Sequence, residues 1–347
     1  MSSNPAFAFT PLVEPSGSVV ETPLTADQAS MFYILGQCCA LTYTQMDENS
    51  IQPSDFSSFA LAGSYAGWTL SAANLQPLTR FEATVSGAIA GDVGDFFVVQ
   101  AGFCVQLTLT PPGGGSASTV TVIALRGTRT WDEWMTDLQV FPAVFGQSPE
   151  HPIEGLGSVH ANMFADYTVG INGATVAAID ALSSTPGNRA SGSLAQQVAD
   201  YVTGLSGTSL YVTGHSLGAG LAGLCALDIA YNFLSGMDST LTSVTLASPL
   251  IATGITGIVT LGSQELLVQN FQRYVPNSYQ IANACDIVPV LPPPRVVIGP
   301  MTLTSVPVAV TTISFCAQLG DISANHGCVS AYVPYLRQLA EGFTQAG

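Results

Sequence analysis

The most constraining feature of the sequence is the run Gly-His-Ser-Leu-Gly at residues 214–218, which lies between two apolar segments. Residues 210–213 have the composition of a short buried strand, and residues 217–234 have that of an apolar helix. Glycines on both sides of a serine let a chain turn sharply from strand to helix and leave the hydroxyl exposed. The spacing alone often arises by chance in a chain rich in glycine and serine, so its place between a strand and a helix is what makes it informative. We therefore predict a nucleophilic serine at Ser216.

Segments that favour strands and helices alternate along much of the chain. Strands are predicted at residues 104–110, 119–125, 210–213, 243–247 and 279–284, and helices at 25–41, 161–183, 193–205, 217–234 and 328–342. The first two strands flank a turn and predict a hairpin. Residues 45–100 show no sustained period and are assigned to loops and short elements. The alternation favours a single α/β domain over residues 1–347, with a mostly parallel sheet between helices and an irregular extension at 1–24.

The charge of the chain limits its partners. Its 23 acidic residues outnumber its 7 basic residues, all of them arginines, and the net charge is −16. Nucleic acids and anionic membrane surfaces are bound through clustered cations, so both are poor partners. The apolar run at 306–316 falls short of the roughly 20 residues that cross a bilayer. We expect a soluble protein without a transmembrane segment, whose contact with lipid is apolar.

The compartment is left open by the sequence. No basic residue precedes Arg80, so the start of the chain lacks the positive region of a signal peptide. The chain is then expected to be either cytoplasmic or the mature form of a secreted protein. Seven cysteines, at positions 38, 39, 104, 225, 285, 316 and 328, include no Cys-x-x-Cys pair, and their odd number leaves at least one thiol free.

A nucleophilic serine needs a histidine as its base. In strand-turn-helix serine enzymes the order along the chain is serine, acid, histidine. Of the four histidines, His151 and His160 precede the serine, and the side chain of His215 is expected to leave the turn in another direction. His326 is therefore the predicted base.

The acid that orients this base is sought among the acidic residues after Ser216. Asp286 directly follows the predicted strand 279–284, and loops at the carboxyl ends of strands carry the chemistry of open α/β sheets. Asp321, five residues before His326, is the alternative. We predict Asp286 as the acid.

The remaining catalytic part is an oxyanion hole. The backbone N–H of Leu217 is one predicted donor, and Thr128, which follows the strand 119–125, is the other. The histidines and cysteines lack the spacing of metal ligands, and no glycine-rich phosphate loop is present. We expect neither a metal nor a cofactor.

A short amphipathic helix is predicted beside Thr128. Its apolar residues recur at helical spacing and face acidic and polar ones. Such a stripe is usually core, but here it equally fits a movable lid that exposes apolar area to lipid. The stripe comprises Trp131, Trp134, Met135 and Leu138.

Several motifs occur together in a fixed order. They are Arg126-Gly127-Thr128 with residues 134–138, the run 214–219, Ala247-Ser248-Pro249, Asp286-Ile287-Val288-Pro289 with Pro292-Pro293, and Asn325-His326. This set resembles the class 3 lipases, the filamentous-fungal-type triacylglycerol lipases of the α/β-hydrolase superfamily, over about residues 25–343. The resemblance implies the α/β-hydrolase fold with a short lid helix that begins near Arg129. It also implies a triad of Ser216, Asp286 and His326, with Thr128 and Leu217 as the oxyanion hole.

Other positions are also interpreted through the resemblance. Val159-His160 is expected near the start of a structural helix, without a catalytic role. The chain departs from the family pattern at Ala247, at Leu250 and at Asn162-Met163, where the family has a glycine, a basic residue and Gly-Phe. Residues 45–100 and 251–278 have no counterpart, so acyl-chain preference stays open.

The function expected from these residues is hydrolysis of the carboxylic esters of lipids through an acyl-enzyme on Ser216. The partner is then a lipid ester or an oil–water interface. A lidless carboxylesterase for short or aromatic acyl esters and a phospholipase A1 share the same triad and remain alternatives. A non-catalytic lipid-binding protein on this fold is a further alternative, and the presence of all three triad residue types in the right order argues against it.

Overall fold

The computed structural model describes residues 24–48, 51–85, 93–128, 142–145, 155–168, 192–205, 207–234, 240–256, 264–298, 301–317, 319 and 321–345. The described helices are α1 (Ala26–Glu48), α2 (Ala161–Thr168), α3 (Leu194–Thr203), α4 (Leu217–Asn232), α5 (Gln264–Tyr274), α6 (Ile322–His326) and α7 (Val333–Gln345). The described strands are β1 (Thr69–Val85), β2 (Val93–Thr110), β3 (Ser118–Leu125), β4 (Pro142–Val144), β5 (Ser158–His160), β6 (Ser209–His215), β7 (Thr240–Leu246), β8 (Ala252–Thr256), β9 (Ser278–Asn283), β10 (Arg295–Ile298), β11 (Met301–Val306) and β12 (Thr311–Phe315).

The larger sheet has the strand order β1-β2-β3-β6-β7-β9-β12. Strand β2 is antiparallel to both β1 and β3, whereas β3, β6, β7, β9 and β12 run parallel to one another. A second, antiparallel sheet has the order β10-β11-β8-β5-β4. The predicted mostly parallel sheet flanked by helices, and with it the α/β-hydrolase fold, is confirmed. The predicted hairpin is also present, as β2 and β3.

The interpretation of residues 45–100 as loops and short elements was wrong. This region contains the end of α1, the long strand β1 and the start of β2, which begins eleven residues before the predicted strand 104–110. The register between β1 and β2 shifts at three places, and each shift breaks the alternation by which a strand is recognised in sequence. Pro77 also lies within β1, where it is tolerated because β1 is at the edge of the sheet.

The ends of the predicted helices differ in two places. The predicted helix 161–183 is described only as α2, and residues 169–183 lie outside the described part of the chain. The predicted helix 328–342 begins as a π-helical turn over Cys328–Tyr332 and continues as α7.

Strand β3 lies between two hydrophobic cores. Ile123 and Leu125 point to the core that contains α4, whereas Val122 and Ala124 point to the core that contains α1 and α7. A strand buried on both faces shows a continuous apolar run rather than an alternation. This is why β3 and β6 are recognisable in the sequence.

Helices α1 and α7 pack together on one face of the sheet. A Cβ at Gly36 of α1 would lie 2.7 Å from Cδ1 of Leu336 in α7, so the helices approach closely at this point. Among the described helices, none combines the length and the apolar composition that spanning a membrane requires.

The buried strand β3 gives a test of the core. Ile123→Ala should lower the free energy of unfolding by about 2–5 kcal/mol, because a fully buried side chain is lost and a cavity remains. Ser118→Ala, at the exposed start of the same strand, should change it by less than about 0.5 kcal/mol. Urea unfolding of both variants measures the difference, and equal midpoints would contradict the two-core arrangement.

Candidate active site

Ser216 lies at the junction between β6 and α4. Its backbone has φ 61° and ψ −132°, a left-handed conformation that is rare for residues other than glycine. The N–H of Ser216 donates to the carbonyl of Leu246 in β7 at 3.0 Å, and its carbonyl accepts from the N–H of Ala219 at 2.9 Å. The strained residue is thus held from both sides, and its side chain is presented at the carboxyl end of the parallel strands.

The two glycines beside Ser216 are needed for space. A Cβ at Gly214 would overlap the carbonyl oxygen of Gly218, and a Cβ at Gly218 would overlap the backbone of Leu125 and Arg126 at the end of β3. The turn from β6 to α4 therefore packs backbone against backbone, which explains the Gly-x-Ser-x-Gly pattern.

The structure brings the three predicted triad residues together. Nε2 of His326 lies 2.9 Å from Oγ of Ser216, and Nδ1 of His326 lies 2.8 Å from Oδ2 of Asp286. A carboxylate oxygen can only accept, so Nδ1 carries the proton and Nε2 is free to accept from the serine hydroxyl. In this tautomer the imidazole can take the hydroxyl proton and remain bonded to the carboxylate.

The carboxylate of Asp286 is buried and receives three hydrogen bonds. The N–H of Val288 donates to Oδ1 at 2.9 Å, and the hydroxyl of Tyr332 and Nδ1 of His326 donate to Oδ2 at 2.7 and 2.8 Å. These three bonds hold the carboxylate in place beside the imidazole. The alternative acid, Asp321, instead caps α6, where its side chain accepts from the N–H of Ala324 at 2.7 Å.

Tyr332 is a site residue that the sequence did not reveal. Its hydroxyl accepts from the N–H of Asn283 at 3.1 Å and donates to Asp286. Burial, followed by the negative charge of Asp286, raises the pKa of Tyr332 well above its ordinary value, so the phenol stays protonated and remains a donor. A tyrosine six residues after the histidine belongs to no motif, so no sequence signal pointed to it.

Asn283 at the end of β9 was also missed. Its side-chain amide donates to the carbonyls of Ala317 and Asn325, and its side-chain oxygen accepts from the N–H groups of Cys285 and Ala317, all within 3.0–3.1 Å. One side chain thus connects the loop that carries Asp286 with the segment that leads to His326. The sequence shows only an asparagine at a strand end, which is an ordinary place for one.

His215 packs against the predicted base, His326, with their ring centroids 4.7 Å apart. Its Nε2 lies 2.8 Å from the backbone carbonyl of His326, which can only accept, so Nε2 is the protonated nitrogen. Its Nδ1 therefore accepts from the hydroxyl of Tyr43 in α1, at 2.8 Å. Burial, followed by the proximity of His326, lowers the pKa of His215 well below its ordinary value, so the ring stays neutral.

The predicted oxyanion residues border Ser216. A Cβ at Gly127 would lie 2.9 Å from Cβ of Ser216, which places the chain just before Thr128 directly against Ser216. Thr128 is buried, and Leu217 is the first residue of α4. The guanidinium Nε of Arg126 donates to the carbonyl of Gly127 at 3.0 Å and so fixes the peptide that joins Gly127 to Thr128.

Other predicted positions are distant or undescribed. The predicted lid residues Trp131, Trp134, Met135 and Leu138 lie outside the described residues. His160 ends β5 directly before α2, and its Nε2 lies 3.4 Å from Oγ of Ser305, away from the triad. Within the described ranges, no group of three histidine, cysteine or acidic side chains is arranged to hold a metal ion.

Exposed apolar side chains flank the acid and the base along the chain. Among the described large hydrophobic residues, Ile287 and Val290 follow Asp286, and Ile322 and Val329 lie on either side of His326, each between 41% and 67% exposed. We call these four residues the apolar rim.

The neutral state of buried His215 makes stability depend on pH. In the unfolded chain a histidine protonates below about pH 6.5, whereas in the folded protein the lowered pKa resists protonation. Unfolding then takes up a proton below this pH, so stability should fall as the pH drops, by up to about 1.4 kcal/mol per pH unit from this group. Urea unfolding between pH 7.5 and 5.0 should show this slope.

The His215→Gln variant should show a shallower slope over the same range, since the titrating group is gone. Tyr43→Phe is the matched control, because it removes a hydrogen bond of the ring but leaves the buried imidazole in place. It should be less stable at every pH and keep the slope of the unmutated protein. A His215→Gln slope equal to that of the unmutated protein would show that His215 does not titrate on unfolding.

The chain is similar to proteins of one known family. The family model described as Lipase (class 3) matches residues 122–296, half of the chain. No curated protein sequence matches.

Several solved structures are similar to the chain. One is a triacylglycerol lipase described as having a serine protease triad at its catalytic centre, at 18% identity, TM-score 0.43 and coverage of 78% of this chain and 76% of that one. Rhizomucor miehei triacylglyceride lipase is similar at 17% identity and TM-score 0.40, and Yarrowia lipolytica lipase at 14% and 0.42, both with coverage of 78% and 76%.

Proposed function

Because the chain belongs to the class 3 lipase family and is therefore a carboxylic ester hydrolase, we propose that it is a triacylglycerol lipase that works through an acyl-enzyme on Ser216. The observation that carries the proposal is the unbroken hydrogen-bond chain from Ser216 through His326 to Asp286. A serine next to a correctly protonated imidazole and a buried carboxylate has the arrangement required for nucleophilic attack on an ester.

The first half of the reaction forms the acyl-enzyme. Oγ of Ser216 attacks the ester carbonyl while Nε2 of His326 takes the hydroxyl proton. The carboxylate of Asp286 stabilises the resulting imidazolium, and its own hydrogen bonds from Val288 and Tyr332 keep it in place. The tetrahedral intermediate then collapses, and His326 gives its proton to the departing alcohol oxygen.

The second half returns the enzyme to its starting state. A water molecule gives a proton to Nε2 of His326 as it attacks the acyl carbonyl, and the fatty acid leaves as Ser216 recovers its proton. These reaction steps need no cofactor. Bonds from Nε2 of His215 and from Asn283 to the backbone at 325–326 keep the imidazole positioned through both halves.

We assign the oxyanion hole to the N–H groups of Leu217 and Thr128. The first N–H groups of a helix have no partner inside the helix and lie at its positive end, which supports Leu217 as a donor. In a trans peptide the carbonyl and the next N–H point in opposite directions. Since Arg126 binds the carbonyl of Gly127, the N–H of Thr128 is directed away from that side chain.

The apolar rim and the charge of the chain support a lipid substrate. Four exposed aliphatic side chains beside the acid and the base offer apolar contact to acyl chains. A net charge of −16 opposes binding to an anionic phospholipid surface, which favours neutral glycerides over the phospholipase A1 alternative. The carboxylesterase alternative shares the same triad and differs in how activity responds to a lipid surface.

The triad is tested by substitution at Ser216 and at the acid. Ser216→Ala should lower kcat on a p-nitrophenyl ester by a factor on the order of 10⁶, with an unchanged thermal unfolding curve. Asp286→Asn should lower kcat by about 10⁴, because an amide holds the wrong tautomer of His326. Asp321→Asn, the matched control, should keep its activity because that side chain caps a helix.

Two outcomes would contradict this assignment. Full activity in purified Ser216→Ala would remove the serine mechanism altogether. Full activity in Asp286→Asn together with loss in Asp321→Asn would exchange the two carboxylates and leave the serine in place.

The lipase is distinguished from the esterase by its response to an interface. Activity on tributyrin should rise sharply once the substrate passes its solubility limit, because apolar area gains contact with lipid at roughly 25 cal/mol per Å². Replacing Trp131 and Trp134 with serine should flatten this rise while hydrolysis of a dissolved p-nitrophenyl ester changes little. The role of these tryptophans rests on the sequence pattern alone.

The same assay separates the alternatives. A smooth saturation curve through the solubility limit in the unmutated protein would favour the carboxylesterase. Faster release of fatty acid from phosphatidylcholine vesicles than from a triglyceride emulsion would favour the phospholipase A1.

A further inference from the structure

Two of the seven cysteines differ from the others in exposure and position. Cys285 and Cys316 are partly exposed, whereas the cysteines at 38, 39, 104, 225 and 328 are buried. Cys285 directly precedes the acid Asp286, and Cys316 directly follows β12. Both therefore lie at the catalytic edge of the sheet, and the mechanism uses neither of them.

The two thiols are placed against each other by neighbouring parallel strands. Asn283 at the end of β9 is paired with Phe315 at the end of β12, and the N–H of Ala284 donates to the carbonyl of Phe315 at 2.7 Å. The two strands thus stay in register up to the cysteines. The sulfur atoms lie 3.0 Å apart, about 1 Å more than the bond length of a disulfide.

We propose that Cys285 and Cys316 are a disulfide-forming site, and that the disulfide clamps the segment carrying Asp286 to the segment leading to His326. The oxidant is a low-molecular-weight disulfide of the glutathione type. The thiolate of Cys285 attacks one of its sulfurs, which forms a mixed disulfide and releases one small thiol. The thiolate of Cys316 then attacks Sγ of Cys285 and releases the second, so the pair loses two protons and two electrons and the small disulfide gains them.

The pair is expected to react slowly with an oxidant, but selectively. The hydrogen bond with Cys316, followed by partial burial, raises the pKa of Cys285 above its ordinary value, so the thiol form dominates at neutral pH. The exchange therefore proceeds through a minor thiolate fraction, which makes oxidation slow and requires prolonged exposure to the oxidant. Burial keeps the other five thiols from a dissolved oxidant, which makes the reaction selective for this pair.

The bridge would reinforce a connection that is already present. The side-chain oxygen of Asn283 accepts from the N–H of Cys285 and from the N–H of Ala317. Cys285 is one member of the proposed pair, and Ala317 directly follows the other. A covalent bond at the same place closes a loop between positions 31 residues apart. Such a closure restricts the unfolded chain, and it should raise the thermal midpoint by an amount on the order of 5 °C.

Peptide mapping of the full chain tests the bond itself. The reduced protein is incubated with oxidised glutathione, alkylated with iodoacetamide under native and then denaturing conditions, and digested with trypsin. Cleavage at Arg273, Arg295 and Arg337 gives peptide 274–295 with Cys285 and peptide 296–337 with Cys316 and Cys328. We expect these two peptides to be joined, with a mass two hydrogens lower than their sum. Fragmentation of the joined pair should locate the bond at Cys316.

Thermal unfolding tests the clamp. The oxidised protein should melt about 5 °C above its reduced form, and this difference should vanish in Cys285→Ser and in Cys316→Ser. Cys104→Ala, which removes a buried thiol, is the matched control and should keep the full difference between its own oxidised and reduced forms. If one serine variant fails to fold, the other variant and the peptide map of the unmutated protein still test the proposal.

Three results would overturn the proposal. They are free alkylation of both thiols after prolonged oxidation, oxidation that stops at a glutathione adduct, and a joined peptide without any rise in the thermal midpoint. The bond and the midpoint are read without an activity assay. A protein that forms the bridge and melts higher but hydrolyses no ester would therefore refute the proposed function and support the disulfide.

Discussion

The close crossing of two backbones at the end of β3 and the start of α4 is the constraint on which the site depends. Gly218 lies so near to Leu125 and Arg126 that no side chain fits between them, and Ser216, two residues before Gly218, is held in a left-handed conformation. A conformation of this kind costs on the order of 1–3 kcal/mol and persists only where the surroundings fix it. Here Ser216 directly follows β6, a central strand that is hydrogen-bonded to β3 on one side and to β7 on the other. These two neighbours hold the strained residue in place.

The base is placed by side chains that come from distant parts of the sequence. His326 ends a helix of five residues, which is too short to hold an imidazole in place by itself. Its carbonyl accepts from His215 at the end of β6, and the carbonyl of Asn325 accepts from Asn283 at the end of β9. The two anchors end the parallel strands β6 and β9, which are separated in the sheet by β7, so the sheet determines the position of the segment that carries His326.

The sequence allowed prediction where chemistry leaves few residue types to choose from. Only one histidine follows Ser216, so order alone identifies His326, and Asp286 could be preferred to Asp321 because it follows a recognisable strand. Asn283, Tyr332 and Tyr43 could not, because asparagine and tyrosine have many ordinary roles and only the folded chain shows which groups they meet. The long strand β1 was missed for a different reason, since its register shifts break the period on which recognition rests.

Fewer positive charges lie at the surface of the molecule than its number of arginines suggests. Two of the seven arginines, Arg80 and Arg126, are buried, and they serve the interior: Arg80 donates to the carbonyl of Arg126, and Arg126 donates to the carbonyl of Gly127. The described surface therefore gains no cations from them. Attraction to an anionic layer is correspondingly weak, and contact with a lipid surface has to come from apolar side chains such as those of the rim. A substrate without charge, such as a glyceride, is the kind of ester that such a surface admits with the smallest electrostatic cost.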